Sequence, residues 1–331
     1  MKAALRSVGI IGLGSYTPPR VLTNSDLEKM VDTSDEWIRT RTGITERRIA
    51  DPDVATSDLA RVSVATAIRN AGLQPTDIGL VVVATVTPDV FFPCTAAIVQ
   101  DAIGATNAAA FDVSVGCTGF VYALAAVGAM VASGAYEHAV VTGAETLSKI
   151  TDWEDRSTCV LFGDAAGSAV LGPVEEGRGI LSYSLGNDGN GACDLLTIPA
   201  GGSRLPATAE TVANRQHYLK MVGSEVFKFA VRALVDSSEE AVRRAGLTME
   251  EIDVVVPHQA NLRIIDAAAK RFHLPLDRFV RNVERYGNTS SASIPLALDE
   301  AVREGIVKPG NNVLLSSFGA GLSWASMVLR W

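Results

Sequence analysis

Short apolar runs rich in β-branched residues alternate with stretches of helical period along the whole chain. The runs over 80–86, 139–142, 159–162, 169–171, 253–256 and 312–316 read as strands, and those over 57–70, 118–133, 225–244, 262–271 and 294–303 read as helices. Strands apolar at nearly every position belong to sheets covered on both faces, and their alternation with helices predicts an α/β fold. The stretch 120–132 is apolar around its full circumference and rich in Ala and Gly, so it is expected inside the protein with close backbone packing.

The pattern also repeats. Ala71-Gly72-Leu73, Ile78 and Val81-Val82-Val83 return as Ala245-Gly246-Leu247, Ile252 and Val254-Val255-Val256, offset by 174 residues for the first two and 173 for the valines. Each copy is followed by a helix opened by small residues, at Gly116-Cys117-Thr118-Gly119 and Gly287-Asn288-Thr289-Ser290, and then by a Phe-Gly turn at Phe162-Gly163 and Phe318-Gly319. Repetition at a fixed period predicts two similar α/β halves meeting near 171–180, with a site where a pseudo-dyad brings their loops together. The stretch 186–216, rich in Gly, Asn, Pro and Thr, keeps no period and reads as a surface excursion or lid.

Composition narrows the class. With 47% hydrophobic and 20% charged residues in 331, the chain is a compact globule long enough to fold without disulfides or metals. Its formal net charge of −8 argues against a nucleic-acid partner, although it leaves room for a local basic patch. Cys94, Cys117, Cys159 and Cys193 show no zinc or redox spacing, and a reduced, cytoplasmic protein is the simple reading. Lys2 and Arg6 precede a short apolar run that reads as a first strand, not a leader, and no run of eighteen apolar residues predicts a membrane span. Gly9 to Gly14 lacks the full dinucleotide fingerprint.

Three residues carry the candidate chemistry. Cys117 joins a strand to the buried helix, whose N-terminal dipole favours thiolate and hence nucleophilic attack. A buried structural cysteine is the competing reading, and it is the stronger one for Cys159, which falls in a strand-like run. His258 follows the strand at 253–256, at the carboxyl end where α/β proteins bind ligands, whereas His138, His217 and His273 read as surface or structural. Asn288 by itself could be a turn or cap residue; the repeat makes its turn the counterpart of the Cys117 turn.

Gly116-Cys117-Thr118-Gly119-Phe120, Pro257-His258-Gln259-Ala260-Asn261-Leu262-Arg263 and Gly287-Asn288-Thr289-Ser290 resemble the three signature motifs of the β-ketoacyl-[acyl-carrier-protein] synthase III family. The resemblance runs from Thr33-Ser34-Asp35-Glu36-Trp37 to Ser317-Phe318-Gly319-Ala320-Gly321. It implies a thiolase-like fold, two pseudo-symmetric α/β halves in α-β-α-β-α layers, with the nucleophilic cysteine in 1–172 and His and Asn in 173–331. The implied reaction is acylation of Cys117 by an acyl-CoA, then decarboxylative Claisen condensation with malonyl-acyl-carrier protein, with no metal or cofactor.

By the same resemblance Thr33, Trp37, Arg41, Arg156, Phe227, Asn261, Phe318 and Ala320 contact CoA or substrate. Lys228, Gln259, Ala260, Asn261, Leu262, Arg263, Lys270 and Arg271 contact the carrier protein. Phe92 reaches across a homodimer interface to close the partner's acyl pocket, which implies a short primer such as acetyl-CoA. The oxyanion donors are the Cys117 N–H and a backbone N–H of the Phe318–Gly321 loop, where Ala320 interrupts the family's usual glycine run. Two other readings stay open: a related synthase that primes a secondary-metabolite pathway, and a thiolase-like scaffold that binds acyl-CoA without turnover.

Overall fold

The computed structural model describes residues 5–190 and 195–331, so Lys2 and Cys193 lie outside the described residues. Two mixed sheets form the frame. In the first, Leu80–Ala84 lies parallel between Ala109–Val113 and Ala139–Glu145, and Ala165–Pro173 and then Val8–Tyr16 extend the sheet antiparallel. In the second, Val254–Pro257 runs parallel to Asn312–Gly319, followed antiparallel by Ser323–Arg330 and Gly179–Asn187. The two sheets share one order of strands, and the second sheet's counterpart of Ala109–Val113 shrinks to a single bridge between Val255 and Phe279.

Helices Gly119–Ala132 and Ser293–Arg303 lie between the sheets. Their Phe120, Leu124, Ile294 and Leu298 share one buried cluster with Val82 and Val141 of the first sheet and Val256 and Leu315 of the second. Helices Thr56–Asn70 and Thr95–Ala102 cover the first sheet's outer face, and Gly223–Arg244 and Leu262–Phe272 cover the second's. The result is a helix–sheet–helix–sheet–helix stack. A strand's side chains alternate between faces, so Leu80 and Val82 join the central cluster while Val81 and Val83 join the outer one. That double burial explains why these strands are apolar at every position.

The repeat extends to buried hydroxyls. Ser63, Thr142 and Ser168 hydrogen-bond to one another at 2.7 and 2.9 Å in the first half, and Ser237, Ser238, Ser316 and Ser326 do so at 2.7 to 3.2 Å in the second. Thr142 and Ser316 stand 174 positions apart, as do Ser63 and Ser237. Each set satisfies its polar atoms internally, as burial requires.

Two sequence expectations need correction. Residues 159–161 form a turn, with Phe162 in a lone bridge to Asn288. The apolar run looked like a strand, but Arg47, itself fully buried, donates to the Val160 carbonyl at 2.8 Å, and Cys159 packs beside Leu27 and Ile38. The Phe-Gly pairs are also not equivalent. Phe318-Gly319 ends a strand, whereas Phe162-Gly163 lies in the loop before Ala165–Pro173, and the fold places Ala144 opposite Phe318.

The stretch 186–216 begins in strand Gly179–Asn187, pairs Leu196–Thr197 with Lys220–Met221, and contains the short helix Ala209–Ala213. It is anchored to the first half through Asp152, which accepts hydrogen bonds from Arg215 and, at 3.0 Å, from Lys220. Among the described residues no helix is long and apolar enough to cross a membrane, and no cluster of His, Cys, Asp and Glu is gathered as a metal ion would need.

Candidate active site

Cys117 sits in the 3-10 turn Gly116–Thr118, between Ala109–Val113 and helix Gly119–Ala132. The turn needs Gly116, whose φ of +54° lies in the left-handed region. It also needs Gly319 on the facing loop: a Cβ there would stand 2.8 Å from the Cys117 nitrogen. Two glycines thus allow the Phe318–Gly321 segment to run against the Cys117 turn, with the backbone amides of both segments close together.

His258 follows Val254–Pro257, and its N–H donates to the Ser316 carbonyl at 2.8 Å. The ring is 1% exposed, with Nδ1 2.7 Å from Ser293 Oγ and its edge towards Phe318 at 5.3 Å between centroids. Asn288 is fixed through its backbone, donating to the Leu161 carbonyl at 2.8 Å and accepting from the Gly163 N–H at 3.0 Å. Its side-chain Oδ1 accepts from the Ser290 N–H at 2.9 Å, which leaves the amide NH₂ to act as donor.

All three side chains line one cavity of about 820 Å³. Exposed Arg41, Lys228 and Arg263 line it together with buried His258 and Asn288, so it connects the surface with the interior between the halves. Leu196, Ile198 and Met221 also line it, so the excursion supplies part of its wall.

Cys117 meets two opposed effects. The helix terminus favours thiolate, as expected, but burial pushes the thiol up to about 12, a shift that the Ser290 hydroxyl opposes. Burial thus works against the thiolate that the helix terminus favours. Alkylation by iodoacetamide is expected to rise about tenfold per pH unit from pH 7 to beyond 9. Levelling below pH 9 would mean that the helix field wins. Burial lowers His258 to about 3, so its imidazole is neutral at working pH and can donate from one nitrogen while accepting at the other.

The remaining candidates fall in three groups. Trp37 and Arg41 line the cavity, and the Arg156 guanidinium stacks over the Trp37 indole at 4.9 Å while pairing with Asp32 at 3.4 Å. Thr33 Oγ1 is buried without a partner among the described residues. Arg263 lies over Phe227 at 5.6 Å, and Phe318, Ala260 and Ala320 line the cavity.

Lys228, Arg263, Lys270 and Arg271 are exposed, with Lys228 paired to Glu225 at 2.9 Å. Gln259 does not belong to that surface. It is 1% exposed; its NH₂ donates to the Pro257 and Val280 carbonyls and its oxygen accepts from the Asn282 N–H. Leu262 likewise packs into the cluster under Gly43, and Asn261 caps the helix Leu262–Phe272 while donating to the Arg41 carbonyl at 3.1 Å. Phe92 protrudes at 87% exposure and lines none of its own chain's cavity.

Sequence reasoning missed Ser290 and Ser293. The repeat contained the signal for the first. At the 174 offset Ser290 stands opposite Gly116, both with left-handed backbones (φ +49° and +54°), so the fold's counterpart of Cys117 is Ser291, not Asn288.

Residues 242–331 match the family model for the C-terminal part of 3-oxoacyl-[acyl-carrier-protein (ACP)] synthase III, and residues 111–189 match the model named for that synthase itself. The chain is 58% identical over 325 residues to the β-ketoacyl-[acyl-carrier-protein] synthase III of Caldanaerobacter subterraneus subsp. tengcongensis, covering 98% of each chain. Among solved structures it is similar to the Thermus thermophilus β-ketoacyl-[acyl-carrier-protein] synthase III, with TM-score 0.91, 52% identity and coverage of 98% and 99%. The priming β-ketosynthase of the R1128 polyketide pathway matches at TM-score 0.91 with 39% identity and coverage of 98% and 96%. With the fold and the end-to-end identity in agreement, the chain belongs to the β-ketoacyl-[acyl-carrier-protein] synthase III family of thiolase-fold condensing acyltransferases.

Proposed function

We propose that this chain starts fatty-acid synthesis by condensing a short acyl-CoA with malonyl-acyl-carrier protein, and that Cys117, His258 and Asn288 carry the reaction. The observation that supports this most is their convergence on one cavity from two halves of the chain. In the first stage the Cys117 sulfur attacks the thioester carbonyl, the bond to the CoA sulfur breaks, and CoA leaves as the thiol with the cysteine's proton. The oxyanion is held by backbone N–H groups of the Cys117 turn and the facing loop.

In the second stage the malonyl carboxylate leaves as CO₂ and its bonding electrons form an enolate. The enolate carbon attacks the acyl-Cys117 carbonyl, and the departing cysteine sulfur takes a proton from solvent. His258 Nε2–H and the Asn288 NH₂ donate to the enolate oxygen. That role for His258 requires Ser293 Oγ–H to donate to Nδ1, which the 2.7 Å contact supports. The neutral histidine meets both contacts, accepting at Nδ1 from Ser293 and donating from Nε2.

The exposed Lys228, Arg263, Lys270 and Arg271 form the docking surface for the acidic carrier protein. Arg263→Glu or Lys270→Glu is expected to raise KM for malonyl-carrier protein in a salt-dependent way and to leave self-acylation by acyl-CoA nearly unchanged. Equal damage to both stages would point to a shared pantetheine site. The exposed Phe92 supports a homodimer in which it closes the partner's acyl pocket, and the protein works in the cytoplasm.

The function is tested by supplying acetyl-, hexanoyl- or lauroyl-CoA with malonyl-carrier protein and measuring CO₂ and 3-oxoacyl product. The account expects one CO₂ per product and preference for acetyl-CoA. CO₂ without product, or preferred use of lauroyl-CoA, would contradict it.

A further inference from the structure

Glu145 ends the strand Ala139–Glu145, is 0% exposed and lines none of the cavity. Five groups surround its carboxyl. Ser290 Oγ and Ser291 Oγ lie 3.0 and 2.9 Å from Oε1, while Thr87 Oγ1, Thr85 Oγ1 and the Val86 N–H lie 2.7, 3.1 and 3.1 Å from Oε2. The threonines and Val86 adjoin the first half's strand Leu80–Ala84. The serines belong to the second half, 145 and 146 positions away along the chain.

Those serines open the turn that follows Asn288. Ser290 holds a left-handed backbone, which a residue with a side chain keeps only where its surroundings impose it. Its N–H is tied to Asn288 Oδ1, its hydroxyl to Glu145, and the same hydroxyl borders the Cys117 thiol. One acid thus anchors the residue that links the amide of Asn288 to the sulfur of Cys117.

Hydrogen counting adds to the picture. The Ser291 hydroxyl has one proton and two neighbours, Glu145 Oε1 and the Ala84 carbonyl at 2.8 Å, and a carbonyl can only accept. If Ser291 donates to Ala84, its contact with Glu145 requires a proton on the carboxyl. Burial raises Glu145 in the same direction.

We infer that Glu145 is a positioning residue: held as a neutral acid, it acts through Ser290 to keep the Asn288 amide and the Cys117 thiol in reacting geometry across the two halves. The inference rests on the catalytic reading of Cys117 and Asn288 given above. Glu145 touches no part of the cavity, so its loss acts on turnover and not on substrate binding.

The test is a mutant cycle on the full-length protein, with KM and kcat measured for acetyl-CoA and malonyl-carrier protein. Glu145→Ala and Ser290→Ala are each expected to lower kcat by about 10- to 100-fold, the loss of one strong hydrogen bond, with both KM values unchanged. The double variant is expected to be no slower than the slower single one, because residues acting as one unit are not additive. Glu145→Gln, which keeps a donor beside Ser291, is expected to stay close to wild type.

Additive losses, a KM that rises in step with the fall in kcat, or a Glu145→Gln variant as slow as Glu145→Ala would overturn the inference. If Glu145→Ala fails to fold, Ser290→Ala and Glu145→Gln still decide it: full activity of the first or inactivity of the folded second refutes it. Wild-type protein in the same assay separates the two claims. Absence of acetylation at Cys117 removes the catalytic reading along with this one, whereas normal acetylation with unaltered Glu145 variants removes this one alone.

Discussion

Cys117→Ala is expected to abolish acyl transfer entirely while leaving the fold intact. The change removes one sulfur atom from a turn that has other supports. Thr118 Oγ1 donates to the Val115 carbonyl at 2.7 Å and meets Ser323 Oγ at 2.9 Å, and helix Gly119–Ala132 is held between two sheets. Alanine is compatible with the right-handed start of that helix, so the melting temperature should stay within a few degrees of wild type. No other group takes over as nucleophile. Ser291, the fold's counterpart of Cys117, is buried against Glu145 and Ala84, and Cys159 is fully buried and does not line the cavity. Single-turnover incubation with radiolabelled acetyl-CoA checks this. A stable acyl-enzyme formed by the variant would remove Cys117 as the acyl carrier.

The next largest effects should separate the two stages. His258→Ala and Asn288→Ala are expected to accept an acyl group on Cys117 yet lose decarboxylation of malonyl-carrier protein by about 10²- to 10³-fold each, the usual cost of one transition-state donor. His258→Ala opens space beside Phe318 and frees the Ser293 hydroxyl, and neither change touches the Cys117 turn. Asn288→Ala costs somewhat more locally, because the Ser290 N–H loses its acceptor and the left-handed turn loses one anchor. Intact-protein mass reads the first stage and CO₂ release reads the second. Failure of His258→Ala to accept the acyl group would reassign His258 as the base that takes the thiol's proton. Normal CO₂ release by either variant would remove that residue from the enolate site.

The features legible in the sequence are those set by local period or repeated along the chain. The valines at 81–83 and 254–256 announce doubly buried strands, and the repeat offset announces two halves with matching strand order. Cys117 is legible because a strand, a glycine turn and an all-apolar helix surround it, a context that the other cysteines lack. What stays illegible depends on which distant segments touch. Gln259 sits in a motif next to His258, yet its side chain turns inward to bind four backbone groups, a choice made by the approach of 280–283.

Asn288 looks like the partner of Cys117 by its place beside a glycine, whereas backbone angles put Ser291 there. Glu145 carries no motif at all, since its meaning comes from two serines more than a hundred positions away. The thiolate expectation meets an opposing effect for a related reason. A helix terminus can be read from the chain, but the degree of burial that opposes it is a property of the assembled halves.

The central claim, that Cys117 carries the acyl group between two substrates, is tested most directly by the mass of the intact protein at each stage. The protein is incubated with acetyl-CoA, weighed, digested to locate any adduct, and then mixed with malonyl-carrier protein and weighed again. The account expects one acetyl group per chain, located on Cys117, that disappears when malonyl-carrier protein is added as 3-oxoacyl product forms. No adduct, an adduct on another residue, or an acetyl group that survives addition of malonyl-carrier protein would contradict it.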